Sequence, residues 1–367
     1  MSAIPNPLLP RDEPVRLLDQ SGAVLIDPVY AMPDPERLLA GYGALVVGRR
    51  VNDQCNALVR QGRMAVYPSS HGQEACQVAA AMALGEQDWM FPTYREPVAL
   101  ITRGVPPADA LAMLRGAWHG GYDPAAYRIA AQATPLATQL LHAVGFAHAA
   151  AIRGEDTVVL AMCGDGATSE GDFHEAMNFA AVFHLPVVFF VQNNEFAISV
   201  PLARQTAAAS LAHKAIGYGM PGERVDGNDL AAVLSVLDAA IERSRSGGGP
   251  MLVEAHTYRV HAHTNADDDN RYRDHAEVVA WLERDPLLRL NAFLTRSGAL
   301  TPEREAEFAE RADEVAAELR RELTTDTPPD AEDLFRFVYA QRPPQLGDQW
   351  ESLRDELARS ESDGGTA

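Results

Sequence analysis

Two short polar turns carry the chemistry of this chain. One is Gly164-Asp165-Gly166 and the other Asn193-Asn194, with 26 residues between them. Each follows a run of apolar residues, TVVLAMC (157–163) and VVFFV (187–191). A bare carboxylate beside a phosphate would repel it. With a divalent cation between them the sign reverses: one carboxylate, one amide oxygen, a backbone carbonyl and phosphate oxygens form the hard oxygen shell that Mg²⁺ takes. Asp165 and Asn194 are therefore the candidate metal ligands. Gly164 and Gly166 would permit a tight turn and close backbone approach. The pattern fails the G-x-G-x-x-G test for a nicotinamide dinucleotide, because residue 169 is Ser and the next glycine is Gly171.

The elements that must position these turns follow from the pattern around them. The two apolar runs read as buried parallel strands, and SEGDFHEAMNFAAVFH (169–184) between them reads as a helix. This is a βαβ unit of about 30 residues. Its right-handed crossover puts both strand ends on one sheet edge, so Asp165 and Asn194 can converge. PLATQLLHAVGFAHAAAI (135–152) is nearly uncharged and reads as a buried helix. Its Ala143, Gly145, Ala147 and Ala149 would allow close approach of another helix. A helix over 34–61, another over 229–245, a strand over 250–258 and an amphipathic helix over 303–323 continue the alternation. The fold class expected is α/β, a mainly parallel sheet covered by helices on both faces. Residues 15–26 read as a hairpin of two short strands around Ser21-Gly22. The expected organisation is an N-terminal arm and hairpin (1–33), a cofactor-binding α/β domain (34–325) and a C-terminal extension (326–367) with a disordered tail from 358. The Pro-rich start is expected to lie on another part of the molecule or on another subunit. HAHTNADDDNRYRD (261–274) has no periodicity and reads as a long functional loop.

Charge and composition remove other classes. The net charge is −20, so neither nucleic acid nor an anionic membrane is an expected partner. Of 31 Lys and Arg residues Lys214 alone is lysine, and it sits in His-Lys-Ala, which excludes a Walker phosphate loop. Cys55, Cys76 and Cys163 are far apart, which argues against zinc, iron–sulfur or a disulfide framework. No signal core and no ~20-residue apolar span are visible, and a cytoplasmic location is expected. Plainer readings compete at several positions. Turn glycines are common, an isolated Tyr94-Arg95 pair is ordinarily a surface pair, and Asp267–Asp269 reads as a solvated charge run. His71 could cap the helix starting near Gln73 or help close the active site. His119 and His142 carry no role on physical grounds.

GDG followed by NN at this spacing resembles the thiamin-diphosphate motif. HGQEACQVAAAMAL (71–84), FPTYRE (91–96), TPLATQ (134–139), GDGATSEGDFHEAMNFA (164–180), VQNNEFAIS (191–199), VDGND (225–229) and HAHTNADDDNRYR (261–273) resemble, in order, the α subunit of the heterotetrameric 2-oxo acid dehydrogenase E1 component. The resemblance covers roughly residues 15–345. It implies a thiamin-diphosphate-binding fold, with thiamin diphosphate and Mg²⁺ as cofactors. By position it implies that Asp165, Asn194 and the carbonyl of Phe196 hold Mg²⁺. Tyr94, Arg95 and His263 would contact the diphosphate; His263 is also the implied catalytic residue of this chain. Gly164, Gly166 and Ala167 would line the diphosphate, and Thr134 and Leu136 the aminopyrimidine. Tyr272 and Arg273 match loop residues that order on cofactor binding and meet a lipoyl domain. The implied partners are an E1 β subunit in an α₂β₂ heterotetramer and a lipoyl-bearing E2. Because the chain is short for two cofactor-binding domains, it is expected to be inactive alone. Two departures stand out. Gln192 replaces an Arg of some relatives, removing one phosphate cation, and Thr264 stands where animal relatives carry a regulatory serine. TPLATQ (134–139) resembles the branched-chain enzymes, whereas 115–139 as a whole has the spacing of bacterial pyruvate-type α subunits, as does VQNNEFAIS; the resemblance thus implies pyruvate as substrate, with branched-chain 2-oxo acids as the alternative. Rival readings are a transketolase-like half enzyme, a nicotinamide dehydrogenase and a non-catalytic scaffold.

Overall fold

In the computed structural model five parallel strands form one sheet: β1 (Trp89–Phe91), β2 (Val159–Gly164), β3 (Val187–Asn193), β6 (Gly222–Asp226) and β7 (Met251–His256), in the order β1-β2-β3-β7-β6. A separate antiparallel ribbon, β4 (Phe196–Ala197) with β5 (Val200–Pro201), follows β3. The structure describes residues 8–116, 120–324, 330–336 and 338–364. Two compact units divide the chain, residues 1–324 and 325–367.

The strands are apolar on both faces because both faces are covered. Along β2 and β3, Leu160, Met162, Val188 and Phe190 enter one core, while Val159, Ala161, Cys163, Val187, Phe189 and Val191 enter the other. The period of two sends alternate residues to opposite faces, so a continuous apolar run is what a doubly covered strand requires. The first core is closed by helices Pro35–Arg60, Glu74–Ala83 and Leu230–Arg243. The second is closed by Thr138–Arg153 and Gly171–Val182. Each large apolar side chain buried here contributes about 1.5–3 kcal/mol. Helix Thr138–Arg153 ends at Gly154, whose φ of +68° lets its N–H reach Ala151 O and that of Glu155 reach Ala150 O. Helix Pro302–Thr324 lays Val315, Leu319 and Leu323 against Val51, Cys55 and Leu58 of the first helix. Among the described residues no helix is long and apolar enough to cross a membrane.

Three expectations change, and for the arm the first of its two alternatives holds. Residues 15–26 form no strands: Gly22 makes a tight turn at φ +73°, with an isolated bridge of Leu18 to Val24. The buried carboxylate of Asp229 instead takes the N–H groups of Leu17 and Leu18, both at 2.7 Å. The described part of the arm lies on its own chain, where Val15 N–H donates to Arg224 O at 2.8 Å and Arg11 pairs with Asp27. The expected disordered tail is helical through residue 364, in Pro344–Gly364, while residues 365–367 lie outside the described residues. In that C-terminal unit Trp350 packs on Phe335 with ring centroids 5.8 Å apart. Finally, Ala143 and Ala147 are buried on their own sheet, and Gly145 and Ala149 are left toward the outside.

Candidate active site

At the C-terminal edge of the sheet β2 and β3 run side by side, with Gly164 paired to Gln192. Residues Asp165–Ser169 then turn as a 3-10 segment. The Thr168 hydroxyl donates back to Asp165 O at 2.8 Å, and Lys214 Nζ donates to Thr168 O at 2.7 Å and Oγ1 at 3.0 Å. The chain's single lysine thus secures this turn. Neither Gly164 nor Gly166 has a positive φ, so turn geometry does not require them. Gly166 is needed for approach, since a Cβ there would come within 2.8 Å of the Ala197 Cβ. At Gly164 a Cβ would meet protein only at 3.9 Å, and the residue lines a cavity.

Asp165 is buried and has no ion-pair partner among the described residues. Burial pushes its carboxyl above the usual range, and hydrogen bonds from Gln205 and the Asn194 N–H pull it partly back. The inward end of the Asn194 amide lies 3.2 Å from Asp165 Oδ1 and 3.1 Å from Phe196 O. Nitrogen-inward, that amide would donate to both. Oxygen-inward, its nitrogen donates outward to Gln73 Oε1 at 3.4 Å, and its oxygen accepts the Phe196 N–H at 3.3 Å. In that orientation carboxylate, amide and carbonyl oxygens face one another. This is a donor set that fits a hard divalent cation, whose charge would offset the buried carboxylate.

Opposite this oxygen set the cavity is cationic. Arg95 and Arg259 are buried, and neither pairs with a carboxylate among the described residues. Arg95 donates to Ser69 O at 3.0 Å and His263 O at 3.1 Å; Arg259 donates to Ile198 O at 2.7 Å and to the Tyr272 hydroxyl at 2.9 Å. The two guanidiniums meet at His263 Nδ1, 3.1 Å from Arg95 and 3.4 Å from Arg259. Burial and then the Arg95 charge lower the Arg259 pKa. Burial, Arg95 and Arg259 push the His263 imidazole down to about 4, so the ring is neutral near pH 7. With two donors at Nδ1, the assigned tautomer carries its proton on Nε2. Two buried like charges around a neutral imidazole fit an anion with several oxygens, such as a diphosphate. Tyr94 stands edge-on to His263, with centroids 6.2 Å apart, and under Arg95.

The 261–274 loop is irregular apart from the turn Asp269–Arg271, and of its three consecutive aspartates Asp268 alone is exposed. Asp267 accepts the His263 N–H at 2.9 Å and the Tyr272 hydroxyl, and Asp269 pairs with Arg273. Burial raises the Asp267 carboxyl, but the Tyr272 and His263 hydrogen bonds outweigh it and the pKa is lowered. Arg273 also donates to Val260 O at 2.7 Å. Tyr272 therefore joins the loop to Arg259. His71 is no helix cap, since Gln73 occupies that position without a side-chain bond; instead His71 Nδ1 lies 3.3 Å from His261 Nε2. His142 is exposed, and His119 lies outside the described residues.

One cavity of about 440 Å³ collects Tyr94, Arg95, Leu136, Gly164, Asp165, Gly166, Ala167, Asn194, Phe196 and His263. Thr134 is exposed and does not line it. Sequence reasoning missed Arg259, Glu96 and Gln205. Arg259 had a usable signal: it comes three residues after β7 ends, on the edge where β2 and β3 end. Buried Glu96 accepts Thr93 N and Oγ1, both at 2.5 Å, and Gln192 Nε2 at 2.8 Å. Gln192 thus satisfies Glu96, and Arg259 supplies a second guanidinium. Ala137, Glu195 and Ile198 hold φ of +61°, +74° and +56° at or beside the cavity, a strain of about 1–2 kcal/mol each.

One family model, described as dehydrogenase E1 component, matches residues 43–331. The 3-methyl-2-oxobutanoate dehydrogenase subunit alpha of Mycobacterium tuberculosis (strain H37Rv) is 48% identical over 351 residues, covering 95% of each chain. The pyruvate dehydrogenase E1 component subunit alpha of Staphylococcus aureus (strain N315) is 35% identical over 348 residues, covering 95% of this chain and 94% of that one.

Proposed function

The chain belongs to the dehydrogenase E1 component family, and from that premise we propose that it is the α subunit of a 2-oxo acid dehydrogenase E1 component, built on a cofactor-binding domain over residues 34–325. It acts in oxidative decarboxylation of a 2-oxo acid, with the acyl group passed to a lipoyl-bearing E2. The observation that carries this reading is the pairing, across one cavity, of a three-oxygen set with two guanidiniums that make no direct carboxylate pair among the described residues.

When bound, thiamin diphosphate supplies the nucleophilic carbon and the electron sink for loss of CO₂. The residues of this chain hold and orient it. Arg95, Arg259 and the Nε2–H of His263 are the donors for the diphosphate, with Tyr94 beside them. Asp165, Asn194 and the Phe196 carbonyl would hold Mg²⁺. Ala167 and Gly164 leave room for the phosphates, and Leu136 offers an apolar wall. The carboxylate that protonates the pyrimidine ring would come from an E1 β subunit in an α₂β₂ assembly. The three cysteines are free and buried, in keeping with a reducing cytoplasm.

For the substrate, the 48% relative named for 3-methyl-2-oxobutanoate outweighs the 35% relative named for pyruvate. A branched-chain 2-oxo acid is therefore preferred, with pyruvate as the second reading. Loop spacing had favoured pyruvate, but spacing measures the distance between cofactor-binding segments and not the shape of an acyl pocket. Calorimetry with thiamin diphosphate, with and without Mg²⁺, tests the cofactor: binding that ignores Mg²⁺ refutes the site. The kcat/KM ratio for 3-methyl-2-oxobutanoate against pyruvate in the assembled complex decides the substrate.

A further inference from the structure

Gln205 is 40 residues beyond Asp165 in the chain, yet their side chains meet. The ribbon β4–β5 makes this possible. After it, Leu202–Arg204 forms one 3-10 turn, with Leu202 N–H donating to Glu195 O at 3.0 Å and Gln205 N–H to Leu202 O at 2.9 Å. The excursion returns the chain to the cavity at residue 205. There Gln205 Nε2 donates to Asp165 Oδ2 at 2.9 Å and to Val200 O at 3.1 Å. Its Oε1 is buried and receives no hydrogen bond among the described residues. The same excursion begins at Phe196, whose carbonyl faces Asp165 and Asn194. One short segment thus supplies a candidate ligand oxygen and the side chain that grips the candidate carboxylate.

The two oxygens of Asp165 have different partners. Oδ1 accepts the Asn194 N–H at 3.3 Å and faces the amide, while Oδ2 is taken by Gln205. A carboxylate gripped at both oxygens must give up hydrogen bonds to rotate about its last bond, which favours one orientation. We infer that Gln205 is a positioning residue of the cation site, holding the Asp165 carboxylate so that Oδ1 alone faces the Asn194 amide and the Phe196 carbonyl. The inference rests on the Mg²⁺ reading above. Its consequence is selectivity. Mg²⁺ demands near-octahedral oxygens at about 2.1 Å, whereas Ca²⁺ accepts longer, irregular and bidentate contacts at about 2.3–2.6 Å. Fixing one oxygen inward serves Mg²⁺, and a freely turning carboxylate would serve Ca²⁺ as well. Because Gln205 also holds Val200, a plain structural staple for the ribbon is the rival role.

The test compares wild type, Gln205→Met and Asp165→Asn, each as the full chain assembled with its partner subunit. Mg²⁺ and Ca²⁺ affinities are measured by calorimetry in the presence of thiamin diphosphate, alongside ligand-free thermal unfolding. Losing a hydrogen bond to a charged group, Gln205→Met is expected to weaken Mg²⁺ about tenfold. Ca²⁺ should weaken much less, so the Mg²⁺/Ca²⁺ ratio falls. Equal loss for both cations with a lowered Tm assigns Gln205 to the staple and overturns the inference, as does no loss at all. Asp165→Asn separates the two layers. If it binds both cations like wild type, the cation reading fails and the inference with it. If it loses them while Gln205→Met does not, only the inference fails.

Discussion

At the scale of single residues, the site is a balance between buried charges. Arg259 is placed beside Arg95, and among the described residues neither forms a direct ion pair, although Asp165 and Asp267 act on Arg259 and Glu96 on Arg95 from farther off; two such buried like charges cost stability until an anion arrives. Arg259→Met should therefore weaken thiamin diphosphate by about tenfold or more while leaving the ligand-free Tm unchanged or raised; calorimetry and thermal scans read the two effects separately. His263 gives a pH signature. Its folded pKa near 4 lies below the ordinary value of 6.5, so between those values the unfolded chain takes a proton that the folded one does not. The His263 contribution to stability is full above pH 6.5 and is lost as pH falls toward 4. A bound diphosphate raises the same pKa, so binding should take up protons and tighten in that window. Calorimetry at pH 5.5 in two buffers of different ionisation heat measures the uptake, and His263→Ala should abolish it and expose the 261–274 loop to protease. Unchanged uptake in that variant would remove His263 from the diphosphate.

At the scale of elements, two backbone positions decide how the edge of the sheet is shaped. Gly166 lets the turn after β2 lie against the β4–β5 ribbon. Gly166→Ala places a Cβ within 2.8 Å of Ala197, which should cost about 1–3 kcal/mol of stability and disturb Mg²⁺-dependent cofactor binding. Ala137 starts helix Thr138–Arg153 in a left-handed conformation, φ +61°. Ala137→Gly should relieve about 1 kcal/mol and raise the ligand-free Tm by a few degrees. If Tm falls instead, packing of the Ala137 methyl outweighs its strain.

At the scale of the whole molecule, helices Thr138–Arg153 and Gly171–Val182 leave Ile152, Phe179, Val182 and Phe183 exposed, with Val182 at 69%. Monomers seldom leave such neighbouring apolar side chains in water. A charged pair, Val182→Asp with Phe183→Glu, should weaken assembly with the partner subunit without lowering the Tm of the separate chain; sedimentation checks this. The separate chain should show no turnover, and measurable decarboxylation by it would contradict an active site completed by a second subunit.

What the amino-acid order determined by itself is local and periodic. The continuous apolar runs at 157–163 and 187–191 announced strands covered on both faces, and a right-handed crossover between parallel strands is enough to bring Asp165 and Asn194 to one edge. The net charge of −20 argued against nucleic acid or an anionic membrane as partner for a similarly simple reason, like-charge repulsion. Tertiary structure alone decided which distant residues share the cavity. Arg259, Gln205 and Glu96 enter it while Thr134 does not, because their positions depend on where loops without periodicity fold back. The turn at 15–26 likewise looked like a hairpin from its residue types, but Asp229, more than 200 positions away, takes its N–H groups. Hydrophobic periodicity reports the face a residue occupies on its own element, and carries no information about which other segment will meet it there.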